Sequence, residues 1–189
     1  MRILRIKKKS GAYRTIYAPD KERKAQCRAL LPAIERAARE ADKHGVQHGF
    51  TEGRSPVTNA LVHVGWMYTL TMDMASWFDT VTPDHVLKAE RADVWRYGTW
   101  DYFKKTCFED GAARQGLPTS PTIANLAAAP MDAEIMAMQK RGRFVNCVYS
   151  RYADDLTFSA DSMDMIKTLM ERVPQIVEKH VKRAMARLD

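Results

Sequence analysis

The sequence predicts an α+β domain in which a small antiparallel sheet is covered by helices. Three observations carry this. Two short runs rich in aromatic and β-branched residues, Phe144–Tyr152 and Leu156–Ala160, flank an acidic tip as a hairpin would. A third run, Trp66–Met74, is strongly apolar and strand-like. Helical stretches, Lys21–His44, Thr122–Gln139 and Ser162–Asp189, lie before, between and after them. At 189 residues and 46% hydrophobic content the chain fits one domain, or one domain with a small lobe, around a real core.

Arg2–Ile6 alternates basic and apolar residues, Lys7–Gly11 reads as a turn, and Ala12–Ala18 alternates again, which gives a basic hairpin. Asp20 is placed to cap the following helix, with a kink expected at Pro32 and Gly45 as its terminator. Ser55-Pro56 starts a second helix running to about Val64. Thr82-Pro83-Asp84 starts another, to about Arg91, and Trp95–Phe108 is read as helix. Asp110-Gly111 signals a tight turn. Arg114–Pro121 is a turn-rich loop ending in Ser120 as N-cap and Pro121 at the first helical position. The helix it opens is small-sided (Ala124, Ala127, Ala128, Ala129), as close packing against a sheet requires. The last segment carries an apolar stripe from Met165 to Ala184 and Pro174 within it, so it reads as one kinked helix or two.

The formal charge is +7, and Arg2, Arg5, Lys7, Lys8, Lys9 and Arg14 all precede the first acidic residue. That distribution favours an anionic partner. No apolar run approaches the ~18 residues of a membrane span, so no membrane partner is expected. Cys27, Cys107 and Cys147 are odd in number and far apart, and read as reduced thiols of a cytoplasmic protein. His44 and His48 are four apart, but Gly45 lies between them and no glutamate follows His44, which argues against zinc.

The acidic tip is the costly feature. Asp154 and Asp155 are adjacent, and neighbouring carboxylates repel by about 4 kcal/mol at ~4 Å and an effective dielectric near 20. A turn needing only polarity is made more cheaply with Asn-Gly. Asp73, near the end of an apolar strand, likewise has to be paired, neutralised or bound to a cation. Oxygen-only ligands of this kind suit Mg²⁺.

Three separated blocks then agree with a known pattern. Asp73-Met74-Ala75-Ser76-Trp77-Phe78 resembles polymerase motif A of reverse transcriptases. Arg114–Pro121 with Ile123-Ala124-Asn125-Leu126 resembles motif B, and Tyr152-Ala153-Asp154-Asp155 resembles motif C. Upstream, Tyr13–Pro19 and His48-Gly49-Phe50 with Gly53-Arg54-Ser55, Asn59-Ala60 and His63 resemble the retron and group-II-intron-like branch. The resemblance implies a polymerase palm, with a ferredoxin-like antiparallel sheet and helices on one face, joined to fingers. Residues 1–65 would be fingers, 66–160 palm (82–112 including a fingers–palm connection) and 161–189 a C-terminal helical segment. It implies RNA-directed DNA synthesis, with an RNA template, a DNA or RNA primer and deoxynucleoside triphosphates as partners. Two Mg²⁺ ions, replaceable by Mn²⁺, would sit on Asp73, Asp154, Asp155 and the Met74 backbone, stabilising the attacking and leaving oxygens.

The same resemblance assigns Arg14 to the triphosphate and Phe78 to the face under the incoming sugar, with Gln115 and Gly116 against the nascent pair. Lys8, Lys9, Arg54, Asn59 and Pro118 are assigned to nucleic acid. The familiar companion lysine of Arg14 has no clear match, since Ala12 occupies one register and Lys8 or Lys9 must substitute. The family's N-terminal extension, primer-grip hairpin and thumb have no match in this sequence either. Three readings of this stay open, a minimal polymerase, a truncated gene product, or a catalytic half whose thumb comes from another polypeptide, with a thumb-bearing protein or a structured non-coding RNA as the candidate partner. Two other readings stay open: template-independent nucleotide addition of a phage-defence type, and a non-catalytic nucleic-acid-binding remnant.

Overall fold

A computed structural model of the chain describes residues 1–7, 11–88, 99–140 and 146–185. Lys8, Lys9, Trp95, the strand start at Phe144 and the helix end at Arg91 lie outside the described residues. The basic start forms β1 (Arg2–Lys7) and β2 (Tyr13–Ala18), an antiparallel pair in the register Ile3↔Tyr17 and Arg5↔Thr15. Asp20 caps α1 (Lys21–Ala41) by accepting from the Arg23 amide at 2.9 Å. Helix α1 keeps Pro32 inside it and turns Leu30, Ile34, Ala37 and Ala38 into the core. Ile34, fully buried, is worth about 1.5–3 kcal/mol of apolar transfer.

A capping box on Ser55 and Thr58 opens α2 (Pro56–Leu61), shorter than predicted because the chain turns repeatedly before Gly65. Strand β3 (Tyr68–Asp73) leads through α3 (Trp77–Thr80) and α4 (Pro83–Lys88) to α5 (Trp100–Cys107). The short α3 had no sequence signal; its cap residue Ser76 sits at φ 53. The predicted Asp110-Gly111 turn is present, both residues at positive φ, with Glu109 and Ala112 bridging across it. Helix α6 (Ser120–Lys140) is the long small-sided helix. It packs against α1, α3, α4 and α7 (Met163–Met185), and its Ala124, Ala127 and Ala128 share one hydrophobic cluster with Tyr149, Leu156 and Phe158 of the sheet. Pro174 lies inside α7, which is one helix.

Strands β4 (Cys147–Tyr152) and β5 (Asp155–Ala160) form the expected hairpin, and β3 joins them in the antiparallel order β3-β5-β4. With α6 between β3 and β4 and α7 after β5, the order is that of a ferredoxin-like unit, of which three strands are among the described residues. The register sets two faces. Leu70↔Phe158 and Met72↔Leu156 point with Tyr149 into one hydrophobic cluster with α1, α6 and α7. Thr69↔Ser159, Thr71↔Thr157 and Asp73↔Asp155 occupy the opposite face. Cys27 and Cys107 are buried free thiols and Cys147 is half-buried. Among the described residues no helix is long and apolar enough to cross a membrane.

Candidate active site

The acidic residues meet because of strand register. Asp73 ends β3 directly opposite Asp155, which starts β5 and pairs in turn with Tyr152. The sequence placed Asp155 in the turn; it belongs instead to the strand, and the loop is Ala153-Asp154 alone. The amide of Met74 donates to the carbonyl of Asp154 at 3.0 Å, which ties the end of β3 to the loop. The Met74 carbonyl already accepts from the Trp77 amide at 3.2 Å, leaving one lone pair free of that turn. Partial burial, then the charges of Asp154 and Asp73, push the Asp155 carboxyl above its ordinary range.

These donors are all carboxylate oxygens, the set a hard divalent cation takes. Among the described residues no three His, Cys, Asp or Glu side chains already converge tightly enough to hold a metal ion. Backbone placement and donor chemistry therefore fit such an ion, while the side chains have to turn from this conformation to share one.

The loop itself is strained and braced. Ala153 sits at φ 58, in a hairpin position where glycine is the usual choice. Its carbonyl accepts from Nη1 of Arg151 at 2.9 Å. Arg151 is on the core side of β4, fully buried. Its Nε and Nη2 bind Asp132 of α6, Nη2 to Oδ2 at 2.8 Å, and Nη1 also reaches Asn125 Oδ1 at 2.9 Å. Tyr149 donates its hydroxyl to the same Asp132 at 2.7 Å. Burial works against the Arg151 charge, and Asp132 more than offsets it, so the guanidinium stays protonated. On the other side, Val46 to His48 run beside β4, with His48 N–H donating to Arg151 O and Arg151 N–H to Val46 O, both at 2.8 Å. That pairing delivers Gly49 against Ala153, where a Cβ would stand 2.5 Å from the Ala153 nitrogen.

The motif B loop meets the basic hairpin at the backbone. Tyr17 N–H donates to Gln115 O at 2.7 Å, and Gly116, at φ 109, lies so close that a Cβ would be 2.5 Å from Tyr17 O. Arg114 sits over the Tyr17 ring at 5.4 Å and pairs with Asp79 at 2.9 Å, one residue past Phe78. Phe78 is half-buried against the core, Pro118 is half-buried in the loop, and Arg14 is exposed on the hairpin. Arg54 is engaged with the backbone: its guanidinium donates to the carbonyls of Gly45 and Gln47 and neighbours Asp42. Asn59 accepts from Ser150 Oγ at 2.8 Å. On the same face His63 bridges Ser159 and Ser150 at 2.9 and 2.7 Å, and burial followed by His48 lowers its pKa, keeping the ring neutral.

Arg151 and Asp132 were not singled out from sequence. A signal existed: Arg151 shares strand parity with buried Tyr149, and Asp132 falls on the stripe of Ala128 and Ile135. A charge on each apolar face demands a partner.

A small antiparallel sheet that gathers carboxylates at one end, with a basic hairpin docked beside it, is the palm-and-fingers arrangement of nucleic-acid polymerases. The chain belongs to the reverse transcriptase family: the family described as reverse transcriptase (RNA-dependent DNA polymerase) matches residues 6–188. It is 34% identical to the retron Mx162 reverse transcriptase of Myxococcus xanthus, over 92% of this chain and 40% of that protein. It is 31% identical to the retron Ec86 reverse transcriptase of Escherichia coli, over 87% of this chain and 50% of that one. The chain thus spans about half the length of the curated relatives it matches. Among solved structures it resembles apo telomerase from Candida tropicalis truncated from its C-terminal domain, with TM-score 0.62 and 14% identity over 95% of this chain and 47% of that one. Telomerase from Candida albicans gives TM-score 0.62 at 10% identity, over 90% and 39%.

Proposed function

We propose that this chain carries the catalytic centre of an RNA-directed DNA polymerase, which adds deoxynucleotides to a primer 3′-hydroxyl under an RNA template. The observation that carries the reading is the pairing of Asp73 with Asp155, together with the Met74–Asp154 backbone bond, which sets three carboxylates at one sheet end. Two Mg²⁺ ions, held by Asp73, Asp154 and Asp155 with the Met74 carbonyl assisting one of them, would supply charge neutralisation at the attacking and leaving oxygens. The protein's share is orientation. The strained Ala153 loop aims Asp154, the strand end aims Asp155, and the apolar face of Phe78 packs under the sugar. Gln115 and Gly116, fixed to the basic hairpin through Tyr17, form the floor of the nucleotide site. Arg14 on that hairpin meets the triphosphate. In this reading residues 1–65 act as fingers and 66–160 as palm, and the exposed Thr69 and Thr71 edge of the sheet beside Asp73 lies along the template–primer duplex.

The test is deoxynucleotide incorporation on an RNA template with a DNA primer and Mg²⁺, comparing wild type with Asp154→Ala plus Asp155→Ala. Template-dependent extension by wild type alone is expected. A product ladder that ignores template sequence would replace this reading with template-independent addition. Salt-sensitive RNA binding without any extension would leave a binding module.

A further inference from the structure

We propose that Arg151 is a positioning residue for the acidic loop, fixing the Ala153 carbonyl and, through it, the directions in which Asp154 and Asp155 leave the sheet. The inference rests on the polymerase reading, since it assigns the loop a metal-holding task.

Three features of the geometry separate this role from that of an ordinary buried ion pair. First, the pair with Asp132 is completed by Nε and Nη2 alone, with Nη2 to Oδ2 at 2.8 Å. Nη1 is left over and is spent on the loop, bridging Asn125 Oδ1 and Ala153 O at 2.9 Å each. Second, the anchor does not yield. Arg151 is 0% exposed and Asp132 only 3%. Asp132 is also held by Tyr149, while Asn125 reaches Gly49 O at 2.7 Å and receives Gln47 Nε2 on its own carbonyl. Third, the carbonyl it grips belongs to the one residue of the hairpin loop with positive φ, where an alanine stands in place of the usual glycine. An alanine there is free to relax into another turn unless its carbonyl is fixed from outside. A planar guanidinium presents donors from three nitrogens in fixed directions, here to carboxylate, amide and carbonyl, whereas a lysine ammonium carries its three donors on a single atom.

The experiment compares Arg151→Lys with wild type in three measurements: Mn²⁺ binding to the nucleotide-free protein by electron paramagnetic resonance, steady-state primer extension, and thermal melting. Glu134→Gln, which removes an α6–α7 ion pair outside the site, serves as a control that lowers stability alone. Arg151→Lys is expected to weaken Mn²⁺ binding about 10-fold to 100-fold, as loss of a ligand-orienting partner does, and to lower kcat with KM for deoxynucleotide unchanged. Should Arg151→Lys fail to fold, the double variant Arg151→Met plus Asp132→Leu exchanges the pair for apolar side chains, a swap buried pairs commonly tolerate. It lacks the bond to the loop and is expected to show the same loss of Mn²⁺ affinity. Wild-type Mn²⁺ affinity in either variant overturns the proposal, as does an equal loss in Glu134→Gln. Wild type that binds Mn²⁺ yet extends no primer overturns the polymerase reading instead, and the Mn²⁺ comparison still decides the role of Arg151.

Discussion

Gly49→Ala is the smallest change that reaches the acidic loop from outside. Gly49 is not at positive φ, so alanine meets no backbone penalty there, and the whole effect is steric. The added Cβ would stand 2.5 Å from the Ala153 nitrogen, 3.1 Å from the Tyr152 carbonyl carbon and 3.3 Å from the Ala153 Cα. All three are backbone atoms, and ordinary contact begins at 3.4 Å, so the segments must part by about 0.9 Å. Gly49 cannot retreat cheaply, because its carbonyl is held by Asn125 at 2.7 Å and by Thr51 at 3.3 Å. The loop moves instead. Overpacking of this kind costs about 1–3 kcal/mol, and a ~1 Å misplacement of reacting groups costs about 10²-fold in rate. Primer extension should fall by that order, and the melting temperature by roughly 2–12 °C for a chain of this size. Extension at the wild-type rate with an unchanged melting temperature would show that Gly49 does not press on the loop.

Asp155→Asn should stabilise the metal-free protein at neutral pH. The folded-state pKa of Asp155 is raised, so its ionisation opposes folding: stability is greatest below the ordinary value of 3.8 and declines as pH rises through the folded value. Melting of the two proteins should converge in acid and diverge toward pH 7, and added Mg²⁺ should raise the melting temperature of wild type alone. Phe78→Ala should admit ribonucleotides; a half-buried phenylalanine also contributes to the core, so its cost in stability should fall below the 3–5 kcal/mol of a fully buried one. Equal rejection of ribonucleotides by both proteins removes Phe78 from the sugar site. Glu134→Gln should lower stability by a few tenths to about 1 kcal/mol. The Glu134 pKa is depressed, by the Lys179 ammonium first and then His180, so its contribution is present above the ordinary value of 4.5 and lost as pH falls below it. Denaturation curves that still differ in strong acid would contradict that assignment.

The carboxylates were legible because their chemistry is costly: Asp154-Asp155 and Asp73 each break a local preference, and such breaks concentrate at functional sites. The hairpin, the caps at Asp20 and Ser55 and the Asp110-Gly111 turn were legible because each is decided by neighbours in sequence. What escaped is what register decides. Asp155 moved from loop to strand by a single pairing with Tyr152. The bonds from the Arg54 guanidinium to the Gly45 and Gln47 carbonyls are likewise set by how the loop folds, which no local pattern announces. The helix of small residues lies against the sheet as its composition suggests, and α1 is a second neighbour that sequence distance conceals. Arg151 and Asp132 each stand on an apolar face, but that they answer one another across β4 and α6 is decided by packing and not by neighbours in sequence.

The strand order β3-β5-β4 also sets a timetable for synthesis. Among the described residues strand β3 pairs only with β5, which begins at Asp155, roughly 80 residues later, an interval of about 4–16 s at ribosomal rates of 5–20 residues per second. Through that interval an apolar strand ending in Asp73 lacks its β5 partner, and the β1–β2 hairpin lacks the Gln115–Gly116 backbone it meets at Tyr17. Nascent chains halted before Asp155 should therefore be the aggregation-prone species, and the ones on which a chaperone has most to hold.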